Sequence, residues 1–291
     1  MATSRARTSS SRPVAEAITA VLHKAAVLGY PIEHSRSPDL HRAAYRALGL
    51  ADWTYERIEC RAGELAALVD SLDERFVGLS VTMPGKPEAL AYAARVTDRA
   101  GAVGSANTLV RETGGWLADC TDIDGVSGAL GAVGVDRAEG ASAVVIGAGG
   151  TARPALAALA EAGITEVGLV VRDPGRTGAA VETAARLGID VRLLDFDAES
   201  PELRAALSEA VVAVSTVPAA AAAALVPAVN APLRLVDAIY DPWPTPLAAR
   251  VAEHGGTVAG GLVMLLNQAY RQVELFTGRP APREAMAAAI G

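Results

Sequence analysis

The alternation of apolar and polar positions predicts two α/β parts that meet near residue 124. In the first part, short apolar or alternating runs predict strands, and runs with helical spacing predict the helices between them. The predicted strands are 25–28, 54–58, 77–83, 106–111 and 116–119, the last two forming a hairpin around Gly114–Gly115. The predicted helices are 38–48, 65–72, 87–94 and 97–101, with Ser37 as the N-cap of the first.

Residues 124–261 alternate regularly between strand and helix. Apolar strands that alternate with helices are typical of a parallel, doubly wound sheet. The predicted strands are 142–146, 166–171, 189–194, 210–214, 233–237 and 257–259. The predicted helices are 125–133, 151–162, 176–187, 201–207, 219–228 and 246–253, and one long helix, 262–276, follows.

Composition narrows the class of protein. A chain of 291 residues that is 51% hydrophobic and 20% charged can form a large core in about two domains. Its net charge of -7 offers nucleic acid no general attraction. Two cysteines and four histidines show no zinc-ligand spacing, so no metal is predicted. Pro218 and Pro227 interrupt the longest apolar run, 210–229, so no membrane span is predicted.

The first 24 residues predict a disordered tail. Residues 1–12 are basic and rich in serine, a composition shared by disordered tails and transit peptides. No apolar segment follows them and Glu16 interrupts the pattern, which favours the tail. With only two cysteines, read as reduced thiols, the expected location is the cytoplasm.

A glycine cluster at 147–150 follows the apolar strand 142–146 and opens a predicted helix. This order is typical of a turn around a dinucleotide pyrophosphate. Gly147 allows the tight turn, and Gly149 lets backbone N–H groups approach a phosphate. Gly150 and Ala152 keep the helix start free of bulk. Glycine-rich turns are common, so the cluster alone indicates a dinucleotide only weakly.

The end of the next strand indicates which dinucleotide is bound. NAD enzymes usually have an acidic residue there, which binds the ribose 2′-hydroxyl. This chain has Arg172 at that position and Arg176 one turn later, and two guanidinium groups suit a 2′-phosphate. We therefore predict NADP(H), although Asp173 could bind a 2′-hydroxyl and repel a 2′-phosphate.

Polar clusters lie in the otherwise apolar first part. Ser35 and Ser37 precede a helix, where two hydroxyls and a helix N-terminus could bind a carboxylate; plain capping by Ser37 is the alternative. Lys86 follows a Pro-Gly turn, a position that is more often solvated than functional. Asn107, with Thr108, lies near the start of the predicted strand 106–111, and the simpler interpretation of this pair is a turn or a hydrogen bond at the strand edge.

The last of these clusters is T-D-I-D-G at 121–125. Asp124 before Gly125 is well placed to cap a helix, which is the structural alternative to a catalytic carboxylate at Asp122.

Taken in order, these clusters resemble the shikimate dehydrogenase family. The motifs are P-I-x-H-S-x-S-P (31–38), V-T-M-P-G-K (81–86), A-N-T-L (106–109), T-D-x-D-G (121–125), G-A-G-G (147–150), D-A-I-Y-D-P-W-P-T-P-L (237–247) and G-L-x-M-L-x-x-Q (261–268). The resemblance implies a substrate-binding domain (25–123 plus 262–291), a Rossmann-type NADP-binding domain (124–261), and a C-terminal helix that returns to the first domain. It implies NADPH-dependent, reversible reduction of 3-dehydroshikimate to shikimate, in aromatic amino-acid biosynthesis.

The resemblance also implies a role for each matching residue. Lys86 and Asp122 form the catalytic pair at the hydroxyl that is oxidised, because reducing a ketone requires a proton donor and a carboxylate can orient it. The implied substrate-binding residues are Ser35 and Ser37 at the carboxylate, Thr82, Asn107 and Gln268 at the ring hydroxyls, and Tyr240 near the carboxylate and nicotinamide. The implied cofactor residues are Gly147, Ala148, Gly149, Gly150, Thr151, Ala152, Arg172, Arg176, Thr216 and Gly261.

The chain departs from the family pattern at three places near the site. Cys120 and Ser80 stand where asparagine is common, and Gly85 stands where phenylalanine is frequent. These departures affect pocket packing and substrate KM more than the type of reaction. Cys120 also suggests sensitivity to thiol reagents.

Three other functions remain open at this point. A quinate/shikimate dehydrogenase would often use NAD and replace one of the paired serines by threonine. A methylenetetrahydrofolate dehydrogenase shares the architecture without the serine pair. A protein that only binds the metabolite would not need Lys86 and Asp122. The expected partner is a small-molecule substrate, with no nucleic acid or membrane, in a monomer or homodimer.

Overall fold

The computed structural model describes residues 22–290, which form two six-stranded sheets. In the first sheet β1, β2 and β3 are parallel, whereas β5 is antiparallel to both β3 and β6. The order of its strands is β2-β1-β3-β5-β6-β4. The strands are β1 (His23–Gly29), β2 (Trp53–Glu59), β3 (Phe76–Val81), β4 (Arg95–Val96), β5 (Thr108–Glu112) and β6 (Gly115–Asp119).

Helices cover both faces of the first sheet. One core joins α1 to the sheet around Leu40 and Tyr55, and another joins α2 and α3 to it around Leu28 and Leu65. The helices up to the second sheet are α1 (Ser37–Ala47), α2 (Leu65–Ser71), α3 (Lys86–Tyr92), α4 (Asp98–Val103) and α5 (Asp122–Ala132).

The second sheet is entirely parallel, with the order β9-β8-β7-β10-β11-β12. This is the strand order of a doubly wound, Rossmann-type sheet, as the pattern of apolar strands and helices predicted. Its strands are β7 (Ser142–Ile146), β8 (Glu166–Val171), β9 (Asp190–Asp195), β10 (Val212–Ser215), β11 (Arg234–Asp237) and β12 (Thr257–Ala259). Its helices are α6 (Ala152–Glu161), α7 (Gly178–Arg186), α8 (Pro201–Glu209), α9 (Ala219–Ala222) and α10 (Pro246–Glu253), with 3₁₀ turns at Pro174–Arg176 and Ala223–Ala228.

The last two helices, α11 (Gly261–Thr277) and α12 (Arg283–Ala287), return to the first sheet. Phe276 of α11 lies directly over Gly78 of β3, where a Cβ atom would collide with the phenyl ring. The chain therefore passes between the sheets twice, through α5 on the way out and α11 on the way back.

Two glycines of α5 allow it to pack closely against α11. A Cβ at Gly125 would lie 2.7 Å from the carbonyl oxygen of Met264, and a Cβ at Gly128 would collide with the Asn267 side chain. This close packing fixes the positions of the side chains that both helices contribute to the space between the sheets.

The structure corrects several predicted bounds. β1 begins at His23, because His23 and Lys24 pair with β2, so the predicted tail does not extend to residue 24. The rest of that tail, residues 1–21, lies outside the described residues. The predicted helix 219–228 is α9 followed by a 3₁₀ turn that contains Pro227, which has no N–H for a regular helix. The two-residue strand β4 was not predicted.

Across residues 22–290, none of the helices combines the length and the apolar character that crossing a bilayer requires.

Candidate active site

A cavity of about 310 Å³ lies between the two sheets. Every residue that the sequence assigned to the catalytic pair or to the substrate lines it, together with two of the assigned cofactor residues, Thr151 and Gly261. The assigned substrate and catalytic residues on its wall are Ser35, Ser37, Thr82, Lys86, Asn107, Asp122, Tyr240 and Gln268.

Lys86 and Asp122 form an ion pair at the wall of this cavity. Nζ of Lys86 donates to Oδ2 of Asp122 at 2.7 Å, with 20% of the lysine side chain and 9% of the aspartate side chain exposed. Lys86 begins α3 after the Pro84–Gly85 turn, and Asp122 begins α5, where the N-terminal end of a helix favours a carboxylate. The solvated position expected for an isolated lysine is therefore wrong for Lys86.

Asp124 has a separate structural role. Its carboxylate pairs with Arg99 of α4 at 2.9 Å. Burial raises the pKa of Asp124, and the Arg99 guanidinium opposes that rise. The alternative in which Asp124 caps the helix is wrong, because α5 already begins at Asp122.

Ser35 and Ser37 lie at the N-terminus of α1. Ser37 is buried as the first residue of the helix, so it is not the predicted N-cap; its backbone N–H donates to Oγ of Ser35 at 3.4 Å. Arg57 of β2 holds this loop by donating twice to the Ser35 carbonyl oxygen, at 3.1 and 2.6 Å. The two hydroxyls and the N-terminal end of this 11-residue helix are groups that favour a carboxylate.

Asn107 and Gln268 form a hydrogen-bonded amide pair beside the cavity. Oδ1 of Asn107 accepts from the backbone N–H of Thr121 at 2.7 Å, so the Asn107 amide nitrogen faces the other way. That nitrogen donates to Oε1 of Gln268 at 3.1 Å. The NH₂ group of Gln268 is therefore left as a donor on the cavity wall.

Four buried polar residues in and behind the cavity wall, of which Ser80 and Gln272 line the cavity, were not assigned to the site from the sequence. The Tyr55 hydroxyl donates to Oγ of Ser80 at 2.6 Å, and Ser80 donates to Oε1 of Gln272 at 2.7 Å. Nε2 of His41 lies 3.3 Å from the same Gln272 oxygen. Of these four, only Ser80 was singled out in the sequence, as a departure from the family pattern. Gln272 lies one turn beyond Gln268 on α11, and this helical spacing is the signal that could have identified it.

The environment of His41 predicts a pH dependence of stability. Burial lowers its pKa to about 3, and the hydrogen bond with Gln272 opposes this only in part. As the pH falls below the ordinary value of 6.5, the unfolded chain takes up a proton that the folded chain does not, so stability is lost. Above pH 6.5 His41 is mostly neutral in both the folded and the unfolded chain, so it causes no loss of stability there.

We expect the wild-type protein to lose about 1.4 kcal/mol more unfolding free energy between pH 7.5 and 5.5 than a His41→Phe variant does. Urea unfolding at the two pH values measures the difference. Phenylalanine keeps a ring at the position that stacks on Tyr55, with centroids 4.0 Å apart, and cannot titrate. Equal losses in the two proteins would contradict a neutral, buried His41.

Cys120 is not the reactive thiol that its place beside Asp122 suggested. The residue has no exposed surface, and burial, reinforced by the Asp122 charge, raises the pKa of its thiol. Since the thiolate is the reactive form, a buried neutral thiol is protected from alkylation. Cys120 instead packs in the core beneath α5.

A second cavity, of about 260 Å³, lies at the carboxyl end of β7, β8 and β10. Gly147 has a φ of +101°, and a Cβ there would lie 2.6 Å from Val217, so the turn requires glycine. Around Gly149 a Cβ would meet nothing within 4 Å, leaving backbone N–H groups accessible in front of α6. Six assigned cofactor residues line this cavity: Gly147, Ala148, Gly149, Arg172, Arg176 and Thr216.

The other assigned cofactor residues lie elsewhere around the turn. Thr151 faces the first cavity, Gly150 is exposed, and Ala152 is fully buried where α6 begins. Gly261 begins α11 so close to the Ala238 carbonyl that a Cβ would collide with it. These positions fit a dinucleotide that passes the N-terminus of α6 toward the first cavity.

Asp173 lies on the wall of the second cavity with the two arginines. Its carboxylate accepts from the backbone N–H of Gly175 at 2.9 Å and caps the 3₁₀ turn that carries Arg176. The guanidinium carbon of Arg172 lies 5.7 Å from the centre of the Phe196 ring. The second cavity therefore presents two guanidinium groups beside a planar apolar surface.

Two family models match the chain. The model described as the shikimate dehydrogenase substrate binding domain matches residues 27–109, and the one described as the shikimate 5′-dehydrogenase C-terminal domain matches residues 261–290. A shikimate dehydrogenase (NADP(+)) from Roseobacter denitrificans is 34% identical over 276 residues, which cover 91% of this chain and 96% of that protein.

Similarity to solved structures extends over the same length. The crystal structure of Mycobacterium tuberculosis shikimate dehydrogenase is 54% identical, with a TM-score of 0.86, and the match covers 92% of this chain and 98% of that one.

A longer relative also matches by sequence. The pentafunctional AROM polypeptide of Candida tropicalis is 33% identical over 91% of this chain, and the match covers only 18% of that longer protein.

Proposed function

Since the chain belongs to the shikimate dehydrogenase family, we propose that it catalyses the reversible, NADPH-dependent reduction of 3-dehydroshikimate to shikimate. The observation that carries this proposal is the ion pair of Lys86 with Asp122, 2.7 Å apart on the wall of the inter-sheet cavity. A protein that only bound the metabolite would have no need for this half-buried pair.

The cavity offers a group for each polar part of the substrate. In the proposed complex, Ser35 and Ser37 bind the carboxylate at the start of α1. Thr82, Asn107 and Gln268 bind the ring hydroxyls on the opposite wall. Tyr240, which follows β11 and is 37% exposed, closes the cavity from the side of the second sheet.

Lys86 supplies the proton in the proposed reduction. As the substrate ketone becomes an alcohol, its oxygen takes a proton from Nζ of Lys86; in the oxidation, the lysine amine removes that proton. Asp122 orients Nζ through the 2.7 Å hydrogen bond and accepts a hydrogen bond from the same substrate hydroxyl.

The nucleotide site fits NADP(H). The backbone at 147–150 and the N-terminus of α6 would hold the pyrophosphate, and Arg172 and Arg176 would hold the 2′-phosphate. Thr216 would line the adenosine side, and Thr151 and Gly261 would lie near the nicotinamide. When bound, NADPH supplies the hydride that reduces the ketone.

The proposed organisation follows from these two sites. We assign 25–123 plus 262–291 to the substrate domain and 124–261 to the NADP domain, acting as a monomer or homodimer. Both cysteines are free and buried, which suits a reducing compartment, and we propose a cytoplasmic location.

Initial rates with shikimate or quinate, each with NADP or NAD, test this function. We expect shikimate with NADP to give the highest kcat/KM, read as NADPH absorbance. Faster turnover of quinate with NAD would favour a quinate/shikimate dehydrogenase instead. An absence of turnover with all four pairs, in protein that binds shikimate, would favour a metabolite-binding protein.

A further inference from the structure

We propose that Gln272 is a positioning residue that, through Thr108, helps to hold the direction in which Asn107 presents its amide to the substrate. The inference rests on the proposed function, because it concerns the same cavity. Gln272 is only 2% exposed, lies on α11 one turn beyond Gln268, and reaches the cavity wall where it hydrogen-bonds Ser80 and Thr108.

The first step is the orientation of Gln272 itself. Its Nε2 donates to the backbone carbonyl of Asn107 at 3.4 Å and to Oγ1 of Thr108 at 3.0 Å. A carbonyl can only accept, so the amide nitrogen must face β5. The amide oxygen then faces Ser80 and His41, both of which approach it as donors.

The second step passes through Thr108. Since its Oγ1 accepts from Gln272, its own proton is free to be donated to Oδ1 of Asn107, 3.1 Å away. The Thr121 backbone N–H reaches the same oxygen at 2.7 Å. The Thr121 hydroxyl donates to it as well, at 3.1 Å. These three donors hold the oxygen of Asn107 toward the protein, and its NH₂ group therefore faces Gln268 and the cavity.

The same residue determines what Ser80 offers the cavity. Ser80 accepts from the Tyr55 hydroxyl at 2.6 Å and donates its only proton to Gln272 at 2.7 Å. It is left with acceptor capacity alone on the cavity wall. The small serine in place of the common asparagine is thus compensated by Tyr55 and Gln272, which occupy the polar space behind it.

The consequence is a fixed pattern of donors and acceptors. Asn107 and Gln268 present N–H donors, and Ser80 presents a lone pair. A substrate hydroxyl at the amide pair must accept, and one at Ser80 must donate. Without Gln272 the Thr108 hydroxyl is no longer fixed with its proton toward Oδ1 of Asn107, so the Asn107 amide is held less firmly and presents its NH₂ group to the substrate less consistently.

The test is a double-mutant cycle with the full-length protein. We expect Gln272→Met to raise the KM for shikimate about tenfold, the factor given by loss of one ordered hydrogen bond, with kcat within about threefold of wild type. In an Asn107→Ala background the same change should alter the KM for shikimate by less than about twofold, because the amide that Gln272 helps to orient is absent. Equal factors in both backgrounds would overturn the proposal.

Matched variants distinguish a positioning role of Gln272 from a general loosening of α11. Thr277→Val removes a 2.7 Å hydrogen bond to the Val273 carbonyl on the same helix and should leave the KM unchanged. If it raises the KM as much as Gln272→Met does, the effect is general and the proposal fails. Should Gln272→Met not fold, Thr108→Val interrupts the same path, and an unchanged KM would overturn the proposal equally.

Wild-type rates distinguish this inference from the function on which it rests. If the wild-type protein does not turn over shikimate, the proposed function fails. If it does and the cycle is additive, only the role of Gln272 fails.

Discussion

Replacing Lys86 with alanine is expected to lower kcat about 10²–10⁴-fold, the usual contribution of a positioned general acid–base group. Among the described residues that line the cavity, Lys86 is the only lysine or arginine, and it forms the ion pair with Asp122. The KM for shikimate should change far less, because the serines and the amide pair remain. Steady-state rates in both directions measure the effect.

Two companion variants sharpen this result. Asp122→Asn keeps the size of the side chain but removes the charge that orients Nζ, and should also lower kcat strongly. Lys24→Ala removes a lysine that pairs with Asp73 at 3.6 Å on the far side of the first sheet, and should leave kcat unchanged. Turnover of Lys86→Ala within about threefold of wild type would rule out the proposed proton donor.

Arg172→Ala is expected to raise the KM for NADPH about 10- to 100-fold and to leave the KM for NADH nearly unchanged. The reason is the loss of a charge-assisted hydrogen bond to the 2′-phosphate, worth about 1.5–3 kcal/mol, which NADH cannot form. Arg176→Ala should act in the same direction. Paired KM measurements with the two cofactors test the discrimination directly.

The control for this experiment is Arg192→Ala. Arg192 is an exposed arginine of β9 that lines a depression at the opposite end of the same sheet, so its loss changes the net charge equally. It should leave both cofactor KM values unchanged. If Arg172→Ala raises the KM values for NADPH and NADH by the same factor, Arg172 does not recognise the 2′-phosphate.

The second sheet was predictable because a short apolar run in the sequence marks each of its strands. Runs such as 142–146 and 166–171 are apolar on both faces, and a glycine or a polar turn ends each one. The cofactor turn was predictable for the same reason, since Gly147 takes a backbone conformation that the glycine pattern already indicates.

The substrate site was predictable only as a set of isolated residues. Lys86 and Asp122 are 36 positions apart, and no local pattern shows that they meet; the ordered motifs of the family supplied that expectation. The resemblance could not supply the network behind the cavity, because it depends on long-range partners. Ser80 and Gln272 are 192 positions apart, and Asn107 and Gln268 are 161 apart.

Helix boundaries were wrong where a side chain had a better partner than the expected cap. Asp124 pairs with Arg99 rather than capping α5, and Ser37 turns into the cavity region as part of α1. At Asp124 a tertiary ion pair overrides a local capping preference that is worth only about 1 kcal/mol.

The return of α11 to the first sheet determines the order in which this protein can fold during synthesis. The face of β1 and β3 beneath Phe276 and Tyr270 stays exposed until α11 has been synthesised, because those side chains complete its core. The second sheet, whose last strand ends at Ala259, has all its strands before that point. The nascent chain therefore has every strand of the second sheet before the core of the first sheet can be completed, although the first sheet is synthesised earlier.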